Sequence, residues 1–373
     1  MESYLDHAAT TPMRPEAVAA MLPFLTDRFG NPSGVHRVSR VARAALDEAR
    51  EIVADCLGAL PGEVVFTGGG TEADNLALAG VHATAPGRVV CAATEHHAVL
   101  HACQALGGDT VPVDADGVID LDALAAALDD SVTVVAVMLA NNEVGTVQPL
   151  ADVAEVVRSR APRARLHTDA VQAFAWLDVA SLAAPADLVA VSAHKFGGPK
   201  GVGALVVRSG VQVAPLMHGG GQERDRRSGT HNLAGVAAMA AAMRATVETR
   251  AATVERVAAL RDRLADGLLA SVPDAAETGS RPSKVAGNCH LRFPGTESEA
   301  LLLLLDEAGV YAAAGSACAA GAVEPSHVLT AMGLTPDDAR ASIRLSLGTT
   351  STDDDVDLAL KTVPEAVARL RGN

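Results

Sequence analysis

The alternation of strand-like and helix-like segments from residue 63 to about residue 207 constrains the fold more than any other feature of this chain. Short β-branched runs are followed by stretches of helical period. EVVFT leads into a helix from Thr71, RVVCAAT into one near His97 and SVTVVAVMLA into one from Leu150, while RLHTDA, ADLVAVSA and GVGALVV read as further strands. Strands joined through helices need crossover connections, which build a mainly parallel sheet covered by helices on both faces. The expected fold class is therefore α/β. After the Gly-rich segment GQERDRRSG come Ala-rich helical stretches from about Asn232 to Leu269. The texture then changes to strand-like NCHLRF, helical ESEALLLLLDEAG, the small-residue segment AAAGSACAAGAVEP, strand-like SIRLSL and a final helix. That change points to a second, smaller α+β domain beginning near residue 252.

A length of 373 residues suits two domains of about 150 residues each. Thirty Lys+Arg against 45 Asp+Glu leave a formal charge of −15, the wrong sign for direct binding to a nucleic-acid backbone, which needs a dense cationic face. The longest apolar stretch, around Leu233 to Met243, stops at Arg244 and falls short of the ~20 residues of a membrane span. The N-terminal MESYLDHAATTP lacks the basic and apolar regions of a secretory signal. A soluble cytoplasmic protein is expected, with no membrane or direct nucleic-acid partner. Cys56, Cys91, Cys103, Cys289 and Cys318 never fall in a CxxC pair, which fits a reducing compartment without a structural zinc site. Lysine occurs only at Lys195, Lys200, Lys284 and Lys361.

Five segments carry candidate chemistry. Phe66-Thr67-Gly68-Gly69-Gly70-Thr71-Glu72 follows a strand and opens a helix, so its backbone N–H groups and helix dipole suit a phosphate, although an ordinary strand-to-helix turn looks the same. Gly68-x-Gly70-x-x-Ala73 also meets a loose dinucleotide fingerprint, with Glu95 near the position of its ribose-binding acid. Ser192-Ala193-His194-Lys195 follows the apolar run DLVAV, which puts a lysine where open α/β sheets place ligands. Such a lysine can serve as a Schiff-base nucleophile or simply snorkel to the surface. The SxxK spacing lacks the KTG that accompanies it in penicillin-binding enzymes. His167-Thr168-Asp169 ends another strand, with Gln172 close behind. Asp169 there reads either as the acid that keeps a pyridine nitrogen protonated or as a helix cap. Glu95-His96-His97 ends the strand before; His96 suits acid/base or ring-stacking work, whereas His97 and His101, four apart, lack a third metal ligand and the HExxH order. Cys318 lies among Gly315, Ser316, Ala317, Ala319, Ala320 and Gly321. A segment so poor in anchoring side chains is expected to be a mobile loop, and exposure makes Cys318 the candidate reactive thiol.

Taken together and in this order, the motifs resemble the cysteine desulfurases of the NifS/IscS type, in the class V aminotransferase group of fold-type-I pyridoxal 5'-phosphate (PLP) enzymes. The resemblance runs from YLDHAATTP through GNPSGVH, GGGTEADNLA, TEHHAVL, ANNEVGTVQP, HTDAVQA, SAHKFGGPKGVGAL and HGGGQERDRRSGT to GSACAAGAVEPSHVL and SIRLSLG. Gly70 stands where the family usually has Ala, and Ala193 where it usually has Gly; neither change removes a functional side chain. The resemblance implies that Lys195 bonds the cofactor aldehyde, Asp169 pairs with the pyridine nitrogen, Gln172 and Asn142 flank the ring hydroxyl, and His96 stacks on the ring. It implies that Gly70, Thr71, Ser192 and His194 hold the phosphate with Thr230 of a second subunit, so a homodimer completes the site. Arg344 would receive the substrate carboxylate with two prongs, with Asn31 and Asn142 beside it. Lys195 and His96 would shuttle a proton, and Cys318 would take the sulfur of L-cysteine as a persulfide, leaving alanine, for delivery to an acceptor or scaffold protein in iron–sulfur assembly or thiolation. The implied division is a large PLP-binding domain over 14–251 and a small domain of 1–13 and 252–373 that carries the catalytic Cys loop. No metal is implied.

Three other readings share parts of this pattern. A selenocysteine lyase or other class V lyase keeps Lys195 and the ring contacts but depends less on Cys318. A nicotinamide-dependent dehydrogenase uses the Gly68 turn but has no use for Lys195, Asp169 and Gln172 together. A non-enzymatic sulfur carrier needs Cys318 alone. Of the four lysines only Lys195 ends an apolar strand, so borohydride reduction of the cofactor-loaded protein followed by peptide mapping is expected to find the pyridoxyl label on Lys195. A label on Lys200 overturns the assignment.

Overall fold

The computed structural model describes residues 2–315 and 325–372. Its strands, in chain order, are β1 (Ser3–Tyr4), β2 (Val64–Thr67), β3 (Arg88–Ala92), β4 (Asp109–Val111), β5 (Val132–Ala136), β6 (Arg165–Asp169), β7 (Leu188–Ser192), β8 (Gly203–Val207), β9 (Ala276–Glu277), β10 (Asn288–Arg292), β11 (Val310–Tyr311) and β12 (Ser342–Ser346). Seven of them form a sheet in the order β2-β8-β7-β6-β5-β3-β4. The strands from β7 to β4 in that order run parallel, and β8 alone is antiparallel to both its neighbours. The GVGALVV run thus joins the sheet as expected but in the opposite direction. The stretch 193–202 between β7 and β8 is too short for a parallel crossover, which takes about a dozen residues or more.

Helices cover both faces of this sheet. Val53, Leu57, Val135, Val153, Val189 and Met239 belong to the apolar layer on one side, and Leu76, Val99, Val134, Leu188 and Leu205 to the layer on the other. Neighbours in sequence along one strand, such as Val134 and Val135, fall in opposite layers because successive strand residues point to opposite faces. A further apolar cluster gathers Leu5, Leu264, Leu268, Leu291, Phe293, Leu305, Ile343, Leu345 and Val363 around a three-stranded antiparallel sheet of order β12-β10-β9. β1 pairs in parallel with β11, which brings the N-terminus into this region.

One helix of 39 residues, Leu233–Ser271, links the two regions. Its first half supplies Val236, Met239 and Met243 to the large-sheet core, and its second half supplies Val257, Leu264 and Leu268 to the other. The change of texture expected near residue 252 therefore falls inside an unbroken helix. Between Val236 and Asp266 the sequence has neither Gly nor Pro, so nothing interrupts the hydrogen-bond ladder while the buried partners change.

Close backbone packing sets the geometry where the Gly68–Gly70 turn meets β8. A Cβ at Gly203 would sit 2.6 Å from the Val191 carbonyl oxygen and 2.8 Å from the Gly69 carbonyl carbon. Both are backbone atoms that cannot swing aside. Gly203→Ala is expected to destabilise the protein by about 1–3 kcal/mol through overpacking, read as a lowered urea midpoint. An unchanged midpoint would show that the turn can retreat.

Candidate active site

The carboxyl ends of the parallel strands bring the candidate residues to one edge of the sheet, where open α/β sheets bind ligands. β3 leads to Glu95 and His96, the extension of β5 to Asn141, Asn142 and Glu143, β6 ends at Asp169 and β7 at Ser192, followed by the 3-10 turn Ala193–Lys195. β2 leads to the Gly68–Gly70 turn and the helix Gly70–Thr84.

Lys195 donates through Nζ to the carbonyl oxygens of Ala8 (2.5 Å) and Ala9 (2.9 Å). The Gln172 side-chain amide donates to the same Ala8 oxygen at 2.7 Å. His194 meets the Thr10 hydroxyl at 3.2 Å. The N-terminal DHAATT segment, whose own chemistry was not apparent in the sequence, therefore holds three of the expected site side chains.

Asp169 is buried beside another acid. Burial, then the carboxyl of Asp74, push it up from its ordinary value of 3.8 to about 7, against the pull of the Val171 N–H, His167 and Lys195. Its Oδ1 accepts from the Val171 N–H at 2.8 Å. Asp74, on the helix Gly70–Thr84, is pushed by burial to about 8 and lies 3.1 Å from His167 Nε2. In such a setting the Asp169 carboxylate needs a cationic partner to remain ionised. A protonated pyridine nitrogen is a partner of that kind.

His96 caps the helix His97–Ala105, its Nδ1 accepting from the Ala98 N–H at 3.1 Å. The neutral ring then carries its proton on Nε2. Burial first, and then Lys195 and the neighbouring histidines, lower it to about 4, so His96 is neutral at pH 7 and held as a ring face and an Nε2 donor. His97 stacks on His101 at 4.8 Å and lies 4.6 Å from His327 between centroids. Among the described residues no group of three or more His, Cys, Asp or Glu is arranged to hold a metal.

The anion cradle is built from glycines and a hydroxyl. Gly69 has φ +146°, and a Cβ at Gly70 would meet Val171 at 2.9 Å and the Ser192 side chain at 3.4 Å. The first-turn N–H groups of a helix have no partner within it, and here they lie beside the Ser192 hydroxyl. Thr71 is exposed in that turn. Glu72, which would repel an anion, is neutralised by Arg227 at 2.7 Å and by the Gly68 N–H at 2.7 Å. These residues fit the phosphate and ring nitrogen of PLP.

Arg344 is fully buried on β12. Nη1 donates to the Asn142 carbonyl oxygen at 2.8 Å, Nη2 pairs with Asp6 at 2.7 Å, and Nε has no partner among the described residues. One prong expected for a substrate carboxylate is thus engaged by Asp6, which nothing in the sequence pattern singled out. Asn31 and Thr230 are both exposed. Asn31 accepts from the Ser33 N–H, and Thr230 follows a segment fixed by Glu223, which binds Arg50, His231 and the Phe66 N–H. Neither is brought against Lys195 within the single chain by a described contact. Cys318 lies outside the described residues.

The aminotransferase class-V family model matches residues 3–359. The chain is 47% identical to an IscS-like cysteine desulfurase of Mycobacterium tuberculosis, over 99% of this chain and 97% of that one. It is 42% identical to a cysteine desulfurase IscS of Methanosarcina thermophila, over 99% of this chain and 92% of that one. A solved structure described as a NifS-like protein superposes with a TM-score of 0.93 at 34% identity, covering 99% of this chain and all of that one. The α/β class expected from the sequence is the one observed.

The buried acids give the cofactor-free protein a definite pH dependence. A carboxyl whose pKa is raised by folding contributes stability that is complete below its unfolded value and lost as pH rises through its folded value. For Asp169 that window runs from 3.8 to about 7, and for Asp74 from 3.8 to about 8. The histidines His7, His96, His167 and His194, lowered from 6.5 to about 4, act in the opposite sense below pH 6.5. The acids are therefore read above it: the urea midpoint of the cofactor-free protein is expected to fall as pH is raised from 6.5 to about 8. Asp169→Asn should flatten the fall, and an equally steep fall in that variant would assign it to other groups.

Proposed function

From the premise that this chain belongs to the class V aminotransferase family, we propose that it is a PLP-dependent cysteine desulfurase, converting L-cysteine to L-alanine with the sulfur retained as a persulfide on Cys318. The observation that carries the reading is the placing of a buried Asp169 at the end of one parallel strand and Lys195 in the turn that follows its neighbour, beside a glycine-lined turn able to take a phosphate. Near-full-length similarity to chains named cysteine desulfurase supports the choice of reaction within the family.

In this reading Lys195 holds the cofactor covalently and carries a proton between substrate and product atoms. PLP, when bound, supplies the electron sink that allows the bonds of the amino acid to be broken. Asp169 would pair with the protonated ring nitrogen, and Gln172 and Asn142 would flank the ring hydroxyl. His96 contributes its neutral ring face and its Nε2–H; with Nδ1 engaged at the helix cap, proton uptake at Nε2 requires the cap to be released. Gly70, Thr71, Ser192 and His194 receive the phosphate, joined by Thr230 of a second subunit. Arg344 meets the substrate carboxylate with Asn31 and Asn142 nearby, Asp6 giving up or sharing its prong. The Cys318 thiolate attacks the substrate sulfur: an S–S bond forms, the C–S bond breaks with its electron pair going to carbon, and that carbon takes a proton to become the methyl of alanine.

The exposed apolar side chains Leu22, Leu25, Phe29, Val35 and Val41 support a homodimer, because a monomer seldom leaves so many on neighbouring segments in water. We read 14–251 as the cofactor-binding domain and 1–13 with 252–373 as the smaller domain carrying Cys318, in a cytoplasmic enzyme whose sulfur passes to an acceptor protein.

Purified protein given L-cysteine is expected to show the visible band of bound cofactor, release alanine and gain one sulfur on Cys318 by intact mass and peptide mapping. Cys318→Ala should keep the band and the cysteine-induced spectral change while releasing no alanine. Alanine release by that variant would instead favour a lyase, and a sulfur adduct on Cys56, Cys91, Cys103 or Cys289 alone would move the nucleophile.

A further inference from the structure

Asp74 is buried on the helix Gly70–Thr84, although that helix meets the sheet through apolar side chains such as Ala73, Leu76, Ala77 and Val81. It lies about one helical turn beyond Gly70, whose turn forms the anion cradle. On the sheet below, His167 occupies the middle of β6, flanked in register by Ala136 of β5 and Leu188 of β7. Both neighbours belong to the same apolar layer as Leu76. Asp74 Oδ1 lies 3.1 Å from His167 Nε2, and both side chains are buried. Taking a carboxyl and an imidazole out of water into such a layer costs free energy that their mutual hydrogen bond offsets.

The two partners stand behind the two ends of the candidate cofactor site. Successive strand residues alternate between faces, so His167 and Asp169 on β6 point to the same face, whereas Leu166 belongs to the opposite layer. Asp74 thus connects the helix whose first turn cradles an anion with the strand that ends at the acid for a ring nitrogen. Apolar contacts between helix and sheet are non-directional, but a hydrogen bond fixes distance and angle, so this one sets where the helix N-terminus stands along β6. Burial raises the Asp74 carboxyl and lowers the His167 ring, which leaves the pair without net charge near pH 7. Asp74 is also one of the causes that raise Asp169, so a role through charge is the alternative. It predicts a different response when an amide replaces the acid.

We propose that Asp74 is a positioning residue for the cofactor: by holding His167 it fixes the separation between the glycine turn that takes the phosphate and the Asp169 carboxylate that meets the ring nitrogen. The inference rests on the reading of this site as one for PLP. The hydrogen bond of Asp74 goes to His167, so it acts through β6 rather than on the cofactor itself.

The test compares a ligand that must be held at both ends with one that is held at the ring alone. The cofactor-free unaltered protein, Asp74→Ala and Asp74→Asn are each titrated with PLP and, separately, with pyridoxal, which has no phosphate. The visible band of the bound form gives each affinity. Couplings between two sites commonly amount to roughly 5- to 150-fold, so Asp74→Ala is expected to weaken PLP by about 10-fold while pyridoxal is nearly unchanged. Asp74→Asn, which keeps a hydrogen-bonding group opposite Nε2, should restore most of the preference for PLP. An unchanged PLP affinity in Asp74→Ala overturns the role, and so does an equal loss for both ligands, which a general loosening of the fold would produce. Asp74→Asn behaving like Asp74→Ala moves the effect from geometry to the charge beside Asp169 and overturns it as well. If Asp74→Ala is insoluble, His167→Leu, which removes the other partner, is titrated in the same way and decides. Absence of a visible band when the unaltered protein is given PLP overturns the cofactor reading instead.

Discussion

The first eleven residues hold the two halves of the molecule in register. β1 pairs with β11, and Leu5 is buried in the core of the small sheet. Asp6 then pairs with Arg344, the carbonyl oxygens of Ala8 and Ala9 accept from Lys195, and Thr10 meets His194. A lysine at the end of a strand buried on both faces can keep its ammonium group out of bulk water only where strong acceptors are supplied. Here two backbone carbonyls supply them, and they belong to the turn that follows β1, which is anchored in the other region. Any displacement of the small sheet relative to the large one would therefore reach Lys195 through Ala8 and Arg344 through its bond to the Asn142 carbonyl.

Around that strap the electrostatics favour a cationic ring. Asp74, Glu95 and Asp169 are buried carboxyls, all raised, with burial as the leading cause. Glu95 accepts from the Met138 N–H at 2.6 Å through Oε1, while Oε2 has no partner among the described residues. The nearby His96 and His167 are lowered to about 4, also chiefly by burial. The histidines therefore remain neutral near pH 7, and a positive ligand beside Asp169 would favour its ionised form. The phosphate end has the opposite balance: helix N–H groups face outward, and the one carboxylate in the turn, Glu72, is occupied by Arg227. A ligand with a cationic ring and an anionic tail suits both ends.

Much of this was legible in the sequence. The alternation of β-branched runs with helical stretches announced the parallel sheet because period and connection length are local properties of the chain. The strand-end positions of Lys195, Asp169 and His96 followed from those same runs. Direction and partnership were less accessible. The antiparallel β8 depends on the short path from β7, and the helix Leu233–Ser271 runs straight through the expected boundary because its change of buried partners leaves no helix-breaking residue behind. Asp6, Asp74 and Glu143 carry no local signal; each matters only because a distant segment folds against it.

The amino-acid sequence by itself determined the α/β class, the placing of lysine, aspartate and histidine at strand ends, and the glycine turn suited to an anion, since periodicity, strand termini and glycine positions act over a few residues. The tertiary structure alone decided the protonation balance and the mounting of the site. A carboxyl such as Asp169 is raised by the desolvation and the neighbouring acid that packing imposes, and the Glu143 carboxylate meets the Ser326 hydroxyl only because segments far apart in the chain fold together. Burial and through-space contact depend on elements far apart in the chain, so they come into being only when the layers close.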